Sequence, residues 1–167
     1  MHRTKQQTTG RTTQRTVLGA ATTALGVALT VAGPAAPSAA ATTTGAAGYA
    51  GDARVATNAQ RADHGRARVG SDGCLQRMAA RQADRMARAG RMWHQDLQRV
   101  LRDCDMRLVG ENVAQGYASG RATVDRGWMR SAGHRRNILD PDFRAMGLAA
   151  RQGEGGRWYV AQVLGAR

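Results

Sequence analysis

The chain has 167 residues, with 25 basic and 12 acidic side chains and a formal net charge of +13; this length suits one domain plus a leader. The charge favours attraction to anionic polymers or membranes, yet almost all of it is arginine spread through an alanine- and glycine-rich chain, with Lys5 the single lysine. There is no dense basic run with interleaved aromatics and no nucleic-acid motif, which argues against a nucleic-acid partner.

Residues 1–40 read as a secretory signal peptide. Met1 to Thr16 carries Arg3, Lys5, Arg11 and Arg15 and no acid. Val17 to Gly33 is apolar or small, Pro34 and Pro37 stop a helix, and a small-residue tract offers cleavage near Ala39 to Ala41. The apolar stretch is too short and threonine-rich for a convincing membrane span; an uncleaved anchor is the alternative, and the only membrane contact it would imply. No adjacent arginine pair precedes the apolar stretch, so the twin-arginine route is not indicated. Cleavage lowers the net charge from +13 to +9 and leaves enough chain for a real core. Residues 41–50 read as a flexible lead-in and residues 51–167 as the domain.

The first helix is expected from about Asp52 to Ala62, with Val55, Ala59 and Ala62 on one face. Asp72 is a good N-cap for the second, Gly73 to Ala89, whose stripe is Leu75, Met78, Ala79, Ala83, Met86 and Ala87; Gly90 stops it. After Met92-Trp93-His94 comes a short helix, about Asp96 to Arg102. Gly110 to Gly116 reads as a turn into a short extended segment. Ser119 can cap a third long helix, about Arg121 to Arg130, in which Val124 and Trp128 bury together and Gly127 permits close approach of another element. Ser131 to His134 is read as a break and Arg135 to Leu139 as a further turn. Met146, Leu148 and Ala150 alternate in one arm of a β-hairpin, and Trp158, Val160 and Leu164 in the other, with Gln162 interrupting the apolar face. Gly153 to Gly156 makes the turn. Helices first and a hairpin last argue for an α+β fold.

Cys74 and Cys104 are the two cysteines. In an exported protein such a pair usually forms a disulfide; a metal pair or a nucleophile is the alternative. The domain holds His64, His94 and His134, and the glutamates Glu111 and Glu154. Glu154 falls in the hairpin turn and is read as solvated. Glu111 lies in a tight, largely apolar segment and needs a partner, because an unpaired buried carboxylate is costly. Taken singly, each histidine has a plain explanation as a capping or surface residue, and spacing alone does not bring His94, Glu111 and His134 together.

The run Gly110-Glu111-Asn112-Val113-Ala114 resembles the GENxA motif of the CAP superfamily, the cysteine-rich secretory, antigen 5 and pathogenesis-related proteins, also called SCP-like extracellular proteins. Trp128 to Leu139 resembles the WMxSxGHRxNIL motif of its bacterial members. Asn58-Ala59-Gln60-Arg61 resembles the NxxR of the family's first helix, and Met92-Trp93-His94 the segment ending in a pocket histidine. Phe143, Gly147 and the hairpin with Gln162 fit the closing strands. The likeness covers about residues 51–167 in the right order. It implies an α-β-α sandwich, with a small antiparallel sheet between helical layers. It also implies a cleft in which His94 matches the first histidine, Glu111 the first glutamate and His134 the second histidine. The family's second glutamate falls at Ser131, a departure that weakens any mechanism needing two carboxylates.

A His94–Glu111–His134 set allows a divalent metal such as zinc with a place for water, metal-assisted hydrolysis, or a histidine base oriented by the carboxylate. The plain alternative is a buried polar network that fixes the fold. No GxSxG nucleophile signature is present, and Ser131 beside His134 does not make a dyad by sequence. Family resemblance adds the binding of sterols, lipids or protein partners. The expectation is a secreted, monomeric CAP-domain protein acting by extracellular recognition of a lipid, cell-envelope or protein ligand. The rival readings are a metal-assisted extracellular hydrolase and a charge-driven cell-surface adhesin.

Overall fold

The computed structural model describes residues 45–167; the leader and the first part of the lead-in lie outside the described residues. Five helices and four strands follow in the order α1 (Ala46–Asp63), β1 (Gly70–Ser71), α2 (Gly73–Ala89), α3 (Leu97–Asp103), β2 (Leu108–Gln115), α4 (Gly120–Ala122), α5 (Ala132–Leu139), β3 (Ala145–Gln152) and β4 (Trp158–Ala166). The sheet order is β1-β3-β4-β2, with β1 parallel to β3 and the other pairs antiparallel. Helix α2 packs on one face and α1 on the other, giving the expected α-β-α sandwich.

Helix α2 has the expected bounds. Asp72 accepts hydrogen bonds from the Cys74 and Leu75 N–H groups at 2.9 and 3.0 Å, and Gly90 ends the helix in the left-handed conformation at φ 64°. The stripe beginning at Leu75 is buried against the sheet. Contact is close at Gly147 of β3, where a Cβ would lie 2.1 Å from the Leu75 carbonyl carbon. A disulfide joins Cys74 to Cys104, with 5.6 Å between the Cα atoms, tying the start of α2 to the end of α3.

Two expectations about α1 need correction. The helix starts at Ala46 rather than near Asp52, so residues 46–50 are helical instead of a flexible lead-in. The reason is Tyr49, 1% exposed, whose hydroxyl donates to the Tyr117 carbonyl at 2.9 Å and lies 2.7 Å from Thr123 Oγ1; burial raises the phenol pKa above its ordinary value. The buried face is also different. It runs through Tyr49, Ala53, Ala56, Thr57 and Arg61, while Val55 stands in solvent. Alanines on every side of this helix leave its apolar stripe ambiguous, and the partners of Tyr49 and Arg61 decide which side turns inward.

The hairpin forms as expected, with Glu154 exposed in its turn. Met146, Leu148 and Ala150 are buried on one face of β3, but Gly147 and Ala149 are buried on the other, because helices cover both sides of the sheet. The helix after Ser119 changes character. Three α-helical residues pass into a π-helical turn, Thr123–Gly127, and a 3-10 turn, Trp128–Arg130. The break expected from Ser131 to His134 shrinks to Ser131, which is extended at the N-cap position. Helix α5 starts at Ala132 and places His134 in its first turn.

Candidate functional site

The site is organised by β2, an edge strand. Successive strand side chains point to opposite faces, so the neighbours Glu111 and Asn112 do different jobs. Glu111 is 3% exposed. Its Oε2 lies 2.8 Å from His94 Nδ1 and accepts from the Gln95 N–H at 3.1 Å; its Oε1 accepts from Gln95 Nε2 at 2.7 Å. The carboxylate that needed a partner thus has three donors. His94 presents the rest of its ring outward, with the side chain 56% exposed. Nε2 makes no hydrogen bond to the described residues, so it is the nitrogen available to a ligand.

The loop carrying His94 is held from α2. Gln82, fully buried, donates to the Trp93 carbonyl at 2.5 Å, and Arg85 donates to Gln82 Oε1 at 2.6 Å. Arg91 lies over the Trp93 ring at 4.6 Å, a cation–π contact that restrains the same loop.

Asn112 does the corresponding work on the opposite face. Its Nδ2 donates to the His134 carbonyl at 3.2 Å and to Gln162 Oε1 at 2.9 Å, while its Oδ1 accepts from Asn137 at 3.0 Å. Gln162 Nε2 continues the chain to Thr57 Oγ1 at 2.9 Å. The polar residue that interrupts the apolar face of β4 is therefore the centre of a buried network. Asn137 also donates to the Glu111 carbonyl at 3.1 Å, and Trp128 Nε1 to the Val113 carbonyl at 3.1 Å. These two side chains occupy the free edge of β2, which blunts it against further strand pairing and fixes α5 with its histidine.

His134 has a pKa below the ordinary histidine value, because burial disfavours the charged ring and, secondarily, because His94 is near enough to repel it. The ring borders a hollow of about 240 Å³ with Met92, Val113, Gln115, Trp128 and Ser131. Gln115 Oε1 is the buried side-chain polar atom left without a partner among the described residues. Gly127 is part of this wall. A Cβ there would lie 2.7 Å from the Tyr117 ring, so the glycine permits the close approach expected of it.

The structure thus bonds His94 to Glu111 and brings His134 near His94. It places His64 elsewhere, exposed, with Nδ1 on the Gln60 carbonyl at 2.8 Å. Among the described residues no three His, Cys, Asp or Glu side chains form a group able to hold a metal ion. Glu111 serves as an orienting group whose oxygens are already engaged. That engagement leaves the two imidazoles as the remaining candidate donors of the expected set.

Residues the sequence did not single out are Gln82 and Gln95, which place the first histidine, and Gln115. A glutamine carries no charge and no spacing rule, so its partner is visible only in three dimensions. Arg61 has a structural task. It is fully buried, and its guanidinium donates to the carbonyls of Ala67, Ile138 and Asp140 at 2.6, 2.7 and 2.9 Å. Asn58 clasps Val69 through its N–H and C=O at 2.9 and 3.1 Å.

Comparison with known proteins agrees with this architecture. A model of the cysteine-rich secretory protein family, CAP, matches residues 55–164. Two curated relatives come from Bacillus subtilis strain 168. The uncharacterized membrane protein YlbC is 41% identical over 44 residues, 26% of this chain and 12% of the relative. The uncharacterized protein YkwD is 37% identical over 59 residues, 35% of this chain and 22% of the relative. The matched segments are thus small parts of much longer relatives. Among solved structures, an extracellular SCP-domain protein from Bacillus anthracis aligns with a TM-score of 0.63 at 22% identity, covering 73% of this chain and 41% of its own. An outer surface protein from Borrelia burgdorferi aligns with a TM-score of 0.62 at 18% identity, covering 68% and 89%. A cysteine-rich secretory protein from Staphylococcus aureus aligns with a TM-score of 0.60 at 19% identity, covering 74% and 40%. At these identities the structures speak for the fold. The family model spans well over half of the chain, from within α1 to the last strand, and the chain belongs to the CAP family of cysteine-rich secretory proteins.

Proposed function

We propose that this chain is an exported CAP-domain protein that recognises a component of the cell envelope or extracellular space through the cleft between His94 and His134. The observation that carries the reading is the state of Glu111. Its oxygens are occupied by His94 and Gln95, so it holds one ring with Nε2 free, beside a second, partly buried ring and a hollow walled by Met92, Val113 and Trp128. Polar groups at the mouth of a largely apolar hollow are the usual make-up of a ligand site. Hydrolysis by an activated serine has less support. Ser131 lines the same hollow, but among the described residues no hydrogen bond joins it to His134. Extracellular and outer-surface neighbours and the positive, apolar, small-residue order of residues 1–41 support export. No helix of the described residues is long and apolar enough to cross a membrane.

A metal-binding reading has its own support. A ligating histidine typically gives its second nitrogen to a carboxylate, the relation of His94 to Glu111. His94 and His134 would hold the ion, which when bound would polarise a carbonyl or a water molecule. Glu111 would fix the ring, and Asn112 would fix the helix that carries the second ring.

Sedimentation with purified envelope fractions tests the main reading. Wild type, His94→Ala and His134→Ala are compared in low salt and in 1 M salt, where screening reaches about 3 Å. Saturable binding that resists salt and is lost in both folded variants is expected. Binding that salt abolishes and the variants leave unchanged would establish charge-driven adhesion instead. Calorimetric titration of the same proteins with zinc tests the metal reading separately.

A further inference from the structure

Outside the cleft, α2 and α3 enclose a second hollow of about 190 Å³. Met78 and Val100 are its buried apolar parts, and Arg81, Arg85 and Arg99 line it together with Gln95 and Asp96. Each nearby carboxylate already has a partner, although Asp96, which lines the hollow, is bonded through Oδ1 alone. Asp84 pairs with Arg88 at 2.5 Å and Asp103 with Arg99 at 3.2 Å. Asp96 Oδ1 accepts from the N–H groups of Gln98 and Arg99 at 2.9 and 3.2 Å. Among the described residues no carboxylate pairs with Arg81 or Arg85. These two cations sit one turn apart on α2, a spacing at which like charges repel. Arg85 is held in place by its 2.6 Å bond to Gln82.

We infer that this hollow binds a phosphate-bearing anion. A guanidinium presents parallel N–H donors that match two oxygens of one anion. The guanidiniums of Arg81 and Arg85, with the Arg99 nitrogens other than the Nε that Asp103 takes, line one hollow from two helices and suit a tetrahedral group, which offers oxygens in several directions, better than a planar carboxylate. The hollow is separate from the histidine cleft but shares a residue with it. Gln95 lines it, while its Nε2 donates to Glu111 Oε1 at 2.7 Å. The second amide hydrogen of Gln95 is available to an anion, so occupancy is transmitted to Glu111 and from there to the His94 ring.

The test is a nuclear magnetic resonance titration of the isotope-labelled protein with inorganic phosphate, ionic strength being held constant with chloride. Saturable shifts are expected at residues 81, 85, 95 and 99 and in the His94 ring. Arg81→Gln/Arg85→Gln is expected to weaken binding tenfold or more. Arg126→Gln/Arg130→Gln, which removes the same charge elsewhere, is expected to leave it unchanged. Arg81→Lys/Arg85→Lys keeps the charge but removes the forks, and is expected to weaken binding as well. Glycerophosphoglycerol, a lipid-headgroup diester, is titrated in parallel; the tighter of the two ligands indicates whether the anion is free or headgroup-borne. Non-saturating shifts spread over all arginines, equal weakening in the two glutamine pairs, or full retention in the lysine pair would each overturn the inference. So would the binding of neither ligand.

Discussion

His94 Nδ1 and Glu111 Oε2 lie 2.8 Å apart although they are 17 positions apart in the chain. The loop after α2 brings one and the edge strand β2 the other. Gln95 secures the pair with two donors to the same carboxylate. Replacing Glu111 with glutamine keeps the volume but removes the charge-assisted acceptor. The variant is expected to fold and to lose about 1–3 kcal/mol, because a buried donor loses a charged partner. The His94 ring should pass from one tautomer, protonated at Nδ1, to a mixture. Long-range nitrogen–proton spectra of the ring check this, and an unchanged tautomer would refute the orienting role.

His134 supplies a pH dependence with a definite sign. Its folded pKa is lowered from 6.5, first by burial and then by His94. The unfolded chain therefore takes up the proton more readily than the folded one. This contribution to stability is full above about pH 6.5 and declines as the pH falls below it, towards the folded pKa. Thermal melts between about pH 7.5 and roughly pH 5 should show that decline, and His134→Gln should reduce it. Direct titration of the ring by nuclear magnetic resonance should give a midpoint below 6.5.

Asn112 is expected to matter more for stability than its size suggests. Asn112→Ala removes its bonds to the His134 carbonyl, Gln162 and Asn137 and leaves buried groups unpaired. A loss of about 2–4 kcal/mol follows if two such groups are stranded. Urea denaturation measures it. A loss below about 0.5 kcal/mol, the range of neutral surface changes, would show that water or repacking replaces the network.

The disulfide closes the chain between Cys74 and Cys104, 30 residues apart. Cys74→Ser/Cys104→Ser should lower stability by about 2–4 kcal/mol through greater freedom of the unfolded chain. Guanidinium denaturation checks this. Because α3 precedes β2 and follows the His94 loop, the variant should also broaden the His94 ring signals.

The parts of this protein that can be read from its sequence are those with strong local periodicity or punctuation. Helix α2 shows both, with a cap at Asp72, a stripe from Leu75 to Ala87 and a stop at Gly90. The hairpin is legible for the same reason, as alternation on either side of a glycine-rich turn. Helix α1 is less so. Its alanines fit several faces, and the sequence does not say that Tyr49 finds Tyr117 and Thr123. The start of α5 is obscured because Ser131-Ala132-Gly133 has the composition of a break, while hydrogen bonds from Asn112 and Asn137 hold the segment against β2.

Residue order alone specifies the second helix, the hairpin, the pairing of two cysteines and, through ordered motifs, the candidates His94, Glu111 and His134. Those features depend on neighbours within a few positions, on there being only two thiols, or on recognisable motifs. The folded arrangement sets the division of labour. Glu111 faces His94 while Asn112 faces α5, since adjacent residues of a strand point opposite ways. Gln82, Gln95 and Gln162 gain their roles only through partners distant in the chain, because an amide side chain takes its hydrogen bonds from whatever the fold places beside it.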